Sequence, residues 1–85
     1  MSTLTIYGKA NCLWCKEAKV LAERYMMNYE YIDVGYTDGQ KELMARLPEA
    51  QTVPQIFWHD RHIGGYQEFM REIENTLGGF AEQKI

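Results

Sequence analysis

Eighty-five residues leave room for one hydrophobic core and no second lobe, so a single domain over 1–85 is expected. Hydrophobic content of 46% lets such a chain fold without a structural metal or several disulfides, while a net charge of −3 with nine scattered Lys and Arg argues against a nucleic-acid partner, which would call for a basic stripe. The opening MSTLTIYGKA has neither the apolar run nor the basic lead-in of a signal peptide, and no segment reaches bilayer-spanning length, so the expected compartment is cytoplasmic with no membrane contact.

Residues 3–7, TLTIY, alternate Leu4 and Ile6 with Thr3, Thr5 and Tyr7, which predicts a strand. Gly8 to Asn11 reads as a loop. From about Leu13 to Met27 the residues Trp14, Ala18, Leu21, Ala22 and Tyr25 recur at helical spacing, and Asn28 is a stop. Residues 29–34, YEYIDV, are aromatic and β-branched and predict a second strand. GYTDGQ reads as a loop. Thr37 and Gln40 have capping-box spacing ahead of a short helix with Leu43, Met44 and Leu47 that ends at Pro48. QIFW (55–58) and HIG (62–64) predict two strands joined as a hairpin by the turn-like HDR. Gly64-Gly65 breaks the chain. Phe69, Met70, Ile73 and Leu77 mark a last helix with Gly78-Gly79 as its C-terminal signal, and the tail FAEQKI reads as frayed. Met26, Met27 and Met70 read as core gap fillers. Trp58 reads as core or sheet face.

The order β-α-β-α-β-β-α predicts an α/β fold. Its four-stranded mixed sheet has one parallel pair from the first crossover, an antiparallel edge from the hairpin, and three helices on the two faces. Cys12 and Cys15, the only cysteines, then fall where the first strand gives way to the first helix. Open α/β sheets place their sites at such carboxyl ends.

NCLWCK, residues 11–16, offers a staple, a metal clamp or a reagent. Cytosolic reductants disfavour a lone staple. A zinc site would have to recruit His59 and His62, but 43 residues separate Cys15 from His59 and both histidines fall on a predicted hairpin, so no metal is expected. The redox reading fits the placement. Side chains three apart on a helix stand roughly 5–6 Å apart at Cβ, close to disulfide geometry. The first amides of a helix lack partners and favour an anion, so a thiol there ionises more readily than a free one. Lys9, Lys16 and Lys19 lie nearby in sequence, and Lys9 and Lys16 add to that effect. Cys12 is therefore assigned as nucleophile, and Cys15 as the resolving thiol that attacks the mixed disulfide.

TVPQIFW supplies a second signal. A proline just before a strand marks an edge or a bend. A cis Val53-Pro54 bond would turn the Val53 backbone outward to pair with an extended peptide. Most X-Pro bonds are trans, so the local sequence leaves both forms open.

NCLWCK after a strand, TVPQIF about 40 residues on, then HIGGY and a closing helix together resemble the glutaredoxins, over roughly residues 3 to 77. The resemblance implies a thioredoxin fold, a cis Pro54, and a thiol–disulfide oxidoreductase with Cys12 as nucleophile and Cys15 as resolver. It implies glutathione as co-substrate rather than a tightly bound cofactor. By position, Lys9, Trp14, Thr52, Val53, Pro54, Gly65, Tyr66 and Gln67 would line the glutathione groove, with the Val53 backbone holding the glutathione cysteine. Two departures stand out. Leu13-Trp14 replaces the Pro-Tyr common between the cysteines, and Tyr66-Gln67-Glu68 follows the glycines where many members carry an acidic residue for the γ-glutamyl amine. Gln67, or Glu68 in a shifted frame, would take that role. Gln40, Lys41 and Arg46 are candidates for the glycine carboxylate. The resemblance further implies disulfide-containing protein partners, ribonucleotide reductase among them, and a monomer. Alternative readings are a redoxin recharged by thioredoxin reductase, and an iron–sulfur or zinc carrier.

Overall fold

The computed structural model describes residues 4–76. The elements come in the expected order: β1 (Leu4–Gly8), α1 (Leu13–Arg24), β2 (Tyr29–Asp33), α2 (Thr37–Arg46), β3 (Gln55–Trp58), β4 (Arg61–Gly64) and α3 (Tyr66–Thr76). Thr3, Leu77, Gly78-Gly79 and the tail lie outside the described residues.

The sheet order is β2-β1-β3-β4. β1 runs parallel to β2, with Leu4 opposite Tyr29 and Gly8 opposite Asp33. It runs antiparallel to β3, with Ile6 opposite Ile56. A helix must carry the chain back between parallel strands, and α1 does so. β3 and β4 form the hairpin, with a register shift between Ile56 and Phe57. β4 begins at Arg61, one residue before the expected start, because His59 takes a left-handed φ of 60° and turns the chain within His59-Asp60.

The period-2 pattern of β1 sends its side chains to two cores. Leu4 and Ile6 join Ala18, Leu21 and Ala22 of α1, Ile56 of β3, and Phe69 and Ile73 of α3. Tyr7 faces the other way, with Leu43 of α2 and Phe57 of β3. So α1 and α3 cover one face and α2 the other. Each fully buried Leu, Ile or Phe contributes about 1.5–3 kcal/mol of burial free energy. Trp58 is half-buried against the first core, as expected for a sheet-face residue. Tyr7 satisfies its hydroxyl within its core: it donates to Glu42 Oε2 (3.1 Å) and accepts from Arg46 Nη1 (3.2 Å).

Several expectations are corrected. α1 stops at Arg24 rather than Met27. Met26 takes φ 56°, its N–H bonds Glu23 O (3.0 Å), and the Met27 N–H bonds Ala22 O (2.9 Å), a Schellman closure of the helix. Met26 is 89% exposed and Met70 is also exposed, so neither fills a core gap. α2 starts at Thr37, inside the run expected to be loop, and the Thr37–Gln40 capping box does not form. Tyr36 is the cap residue without a side-chain bond, and its carbonyl accepts from Gln40 N. The turn before it is held instead by Asp33, whose Oδ1 accepts from Gly35 N at 2.7 Å. Gly39 then packs so closely on β2 that a Cβ there would stand 2.9 Å from the Asp33 carbonyl carbon.

Candidate active site

Cys12 is the N-cap of α1 with extended backbone, φ −119° and ψ 108°. The chain reaches it through Asn11 at φ 59°, a conformation asparagine tolerates. The Cys12 carbonyl accepts the first helical bond, from Lys16 N at 3.1 Å, and its Sγ accepts from the Cys15 N–H at 3.2 Å. A serine or aspartate oxygen normally fills that capping role. Here a sulfur does, so negative charge on Cys12 is met by an amide that has no helical partner. The two sulfurs are bonded to each other, with Cα atoms 5.3 Å apart. Cys15 has no exposed surface, while Cys12 is partly open to solvent. An incoming thiolate therefore has access to Cys12 alone.

The Val53-Pro54 bond is cis, and Cys12 Sγ lies 4.0 Å from the Val53 carbonyl oxygen. Gln55 steadies this turn, its Nε2 donating to Thr52 O (3.1 Å) and Thr52 Oγ1 (3.3 Å). The turn divides the surface. On one side Trp14, Thr52, Val53, Pro54, Gly65, Tyr66 and Gln67 line a cleft of about 300 Å³. Those are the expected groove residues except Lys9. Trp14 is 54% exposed and packs on Tyr66, ring centroids 5.2 Å apart, so the two form one apolar wall. Glu68 shares this cleft, and its Oε1 accepts from Gly65 N (3.0 Å) at the start of α3, while Gly65 O accepts from Phe69 N. That is the return half of a capping box.

Lys9 lies across the turn. It borders a cleft of about 370 Å³ with Gln40, Thr52 and Val53. Of the three candidates for the glycine carboxylate only Gln40 lines this cleft. Arg46 is engaged elsewhere, its guanidinium carbon 3.9 Å from the Phe57 ring centroid and its Nη1 on the Tyr7 hydroxyl. Lys9 also borders a third cleft, of about 570 Å³, with Cys12, Lys16, Lys19, Tyr31 and Asp33. His62 is tied to Gln55 Oε1 at 2.7 Å. Among the described residues no three His, Cys, Asp or Glu side chains are grouped to hold a metal.

Sequence reasoning passed over the floor of the site. Gly8 ends β1 beneath Cys15, and a Cβ there would stand 2.9 Å from Cys15 Sγ and collide with Tyr31 Oη. A glycine between a strand and a cysteine-bearing helix start is the signal that close backbone approach was needed.

The glutaredoxin family profile matches residues 4–63 of the chain. Glutaredoxin 1 of Escherichia coli is 36% identical over 80 residues, covering 85% of this chain and 93% of that protein. Glutaredoxin 1 of Salmonella typhimurium is 38% identical over 84 residues, covering 89% and 95%. The solution structure of reduced E. coli glutaredoxin superposes with a TM-score of 0.71 at 33% identity, over 89% of this chain and 98% of that one. A buckwheat glutaredoxin–glutathione complex superposes at 0.72 with 27% identity, over 87% and 70%.

Proposed function

The chain belongs to the glutaredoxin family of thiol–disulfide oxidoreductases, and on that premise we propose that it reduces protein disulfides and glutathione mixed disulfides and is recharged by glutathione. One observation carries this reading: the Cys12 sulfur caps α1 beside the cis Val53-Pro54 turn, at the edge of a cleft walled by Trp14 and Tyr66. In this reading the glutathione moiety lies along that cleft, its cysteine backbone paired with Val53 and its γ-glutamyl end at Gly65, Tyr66 and Gln67. Lys9 and Gln40 receive the glycine end across the turn. The buckwheat complex lends support, since that relative holds glutathione.

The exchange runs in two steps. The reduced Cys12 thiolate, held by the Cys15 N–H, attacks a substrate disulfide and forms a mixed disulfide, expelling one substrate thiolate. The Cys15 thiolate then attacks Cys12 Sγ, closes the intramolecular bond and releases the second substrate sulfur. Two glutathiones restore the dithiol and leave as glutathione disulfide. We place the protein in the cytoplasm as one domain acting as a monomer, and include ribonucleotide reductase among its protein substrates. Among the described residues no helix is long and apolar enough to cross a membrane.

The test is a coupled assay with glutathione, glutathione reductase and NADPH on a glutathione mixed disulfide and, separately, on a protein disulfide. Cys12→Ser loses both activities. Cys15→Ser keeps the first and loses the second. Retained turnover in Cys12→Ser, or recharging by thioredoxin reductase in place of glutathione, overturns the reading.

A further inference from the structure

Cys15 is the leaving group whenever a thiolate opens the Cys12–Cys15 bond at Cys12. It carries no exposed surface, so water does not reach the charge it would take on, and a buried anion without a donor is costly. The fold puts a hydroxyl at that place. Tyr31 lies on β2, opposite Ile6 and two residues before the Asp33 that pairs with Gly8. Its Oη and Cys15 Sγ border one slot, the space a Gly8 Cβ would fill, with the sulfur 2.9 Å from that point. The Lys19 ammonium lies over the ring, 4.3 Å from its centroid. The O–H is on the Lys9 carbonyl at 3.4 Å, a long bond and easily exchanged.

We propose that the Tyr31 hydroxyl receives the Cys15 sulfur as the disulfide opens, turning from the Lys9 carbonyl into the slot that Gly8 leaves free. The proposal rests on Cys12 as the attacked sulfur. In the step itself an incoming thiolate forms a bond to Cys12 Sγ. The Cys12–Cys15 bond breaks, its electron pair stays on Cys15 Sγ, and the Tyr31 O–H donates to that thiolate without giving up its proton. The thiolate stays on that donor until a second thiolate has taken the substrate sulfur off Cys12 or Cys15 has closed the bond again, so the step itself moves no proton. Burial, with a smaller push from Asp33, raises the Tyr31 phenol above its usual value, so it remains a donor at neutral pH.

Tyr31→Phe tests this, since phenylalanine keeps the ring under Lys19 and removes only the hydroxyl. The readout is the rate at which dithiothreitol opens the oxidised protein, followed by mass after rapid alkylation. A hydrogen bond to a charged group commands about a tenfold change, so opening slows about tenfold. The same substitution in a Cys15→Ser chain, carrying a mercaptoethanol mixed disulfide on Cys12, loses that tenfold factor, because the departing sulfur is then mercaptoethanol's. A second readout is the thiol titration of Cys15 in Cys12→Ser, with and without Tyr31→Phe. Lys9, Lys16, Lys19 and Asp33 line the adjoining cleft and are common to both chains, so the upward shift expected on adding Tyr31→Phe reports the hydroxyl alone. A crystal structure of the reduced wild-type chain adds a check that needs no variant: it should place Tyr31 Oη in hydrogen-bond reach of Cys15 Sγ. Opening rates within twofold of each other, equal slowing in the Cys15→Ser chain, an unshifted titration, or a reduced structure with the two atoms apart each overturn the proposal. A chain that exchanges readily with dithiothreitol but is not recharged by glutathione overturns the functional reading and leaves this one standing.

Discussion

Replacing Met26 with glycine should stabilise this protein. Met26 follows the C-cap of α1 at φ 56° and is 89% exposed, so its side chain contributes little burial. A side-chain-bearing residue in left-handed geometry costs about 1–2 kcal/mol, and glycine removes that cost. The freer unfolded chain takes back about 0.4–1 kcal/mol. Both amides that close the helix, Met26 N–H to Glu23 O and Met27 N–H to Ala22 O, are backbone bonds and survive the change. The net expectation is a gain of about 0.5–1 kcal/mol, or roughly 2–8 °C in Tm for a chain of this size. Urea unfolding followed by far-UV circular dichroism, with the disulfide kept oxidised in both proteins, measures it. Met26→Ala serves as control, because it keeps the strained backbone and should stay near wild type. A Met26→Gly midpoint at or below wild type with an unchanged slope would refute the reasoning.

Gly39→Ala forces a methyl against the Asp33 carbonyl and Ile32 Cγ2 and should cost about 1–3 kcal/mol in the same unfolding experiment; a neutral result would mean α2 does not pack on β2 as described. Tyr29 donates to Glu23 Oε2 at 2.6 Å, and burial, then that carboxylate, pushes its phenol up to about 12. A folded value above the unfolded one means the stabilisation is whole below the ordinary tyrosine value of 10.0 and drains as pH climbs from there through about 12. Wild type should therefore lose more stability across that window than Tyr29→Phe, and parallel losses in alkaline unfolding curves would count against it. Trp14→Ala removes one half of the Trp14–Tyr66 wall. Its KM for a glutathione mixed disulfide should rise roughly fivefold, the worth of about 1 kcal/mol of aromatic pairing, and unchanged steady-state kinetics would place the substrate elsewhere.

Strand β1 was readable because Leu4 and Ile6 alternate with Thr5 and Tyr7, though the alternation did not reveal that Tyr7 faces a second core rather than water. The end of α1 was not readable. Nothing in Tyr25-Met26-Met27 resembles a glycine stop, and the left-handed turn is taken without one. The Thr37–Gln40 spacing misled for a related reason: a local pattern was present, but Asp33, four residues upstream of Thr37, holds the turn first. In the site, the cysteine pair and the residues around Pro54 and Gly65 could be placed because each sits in a short contiguous motif. Lys9, beside the same motif, falls across the turn into other clefts. Gly8 and Tyr31 meet only through the pairing of β1 with β2, a long-range contact that no local spacing encodes.

The amide that steadies the reactive sulfur belongs to the other cysteine of the pair. Any excursion that frays the opening turn of α1 therefore separates the partners and withdraws the anion's support together. With that turn open, the sulfur should be a weaker nucleophile even with both thiols present. Under the proposed assignment of Cys12 as nucleophile, its reactivity is therefore tied to the folded opening turn of α1.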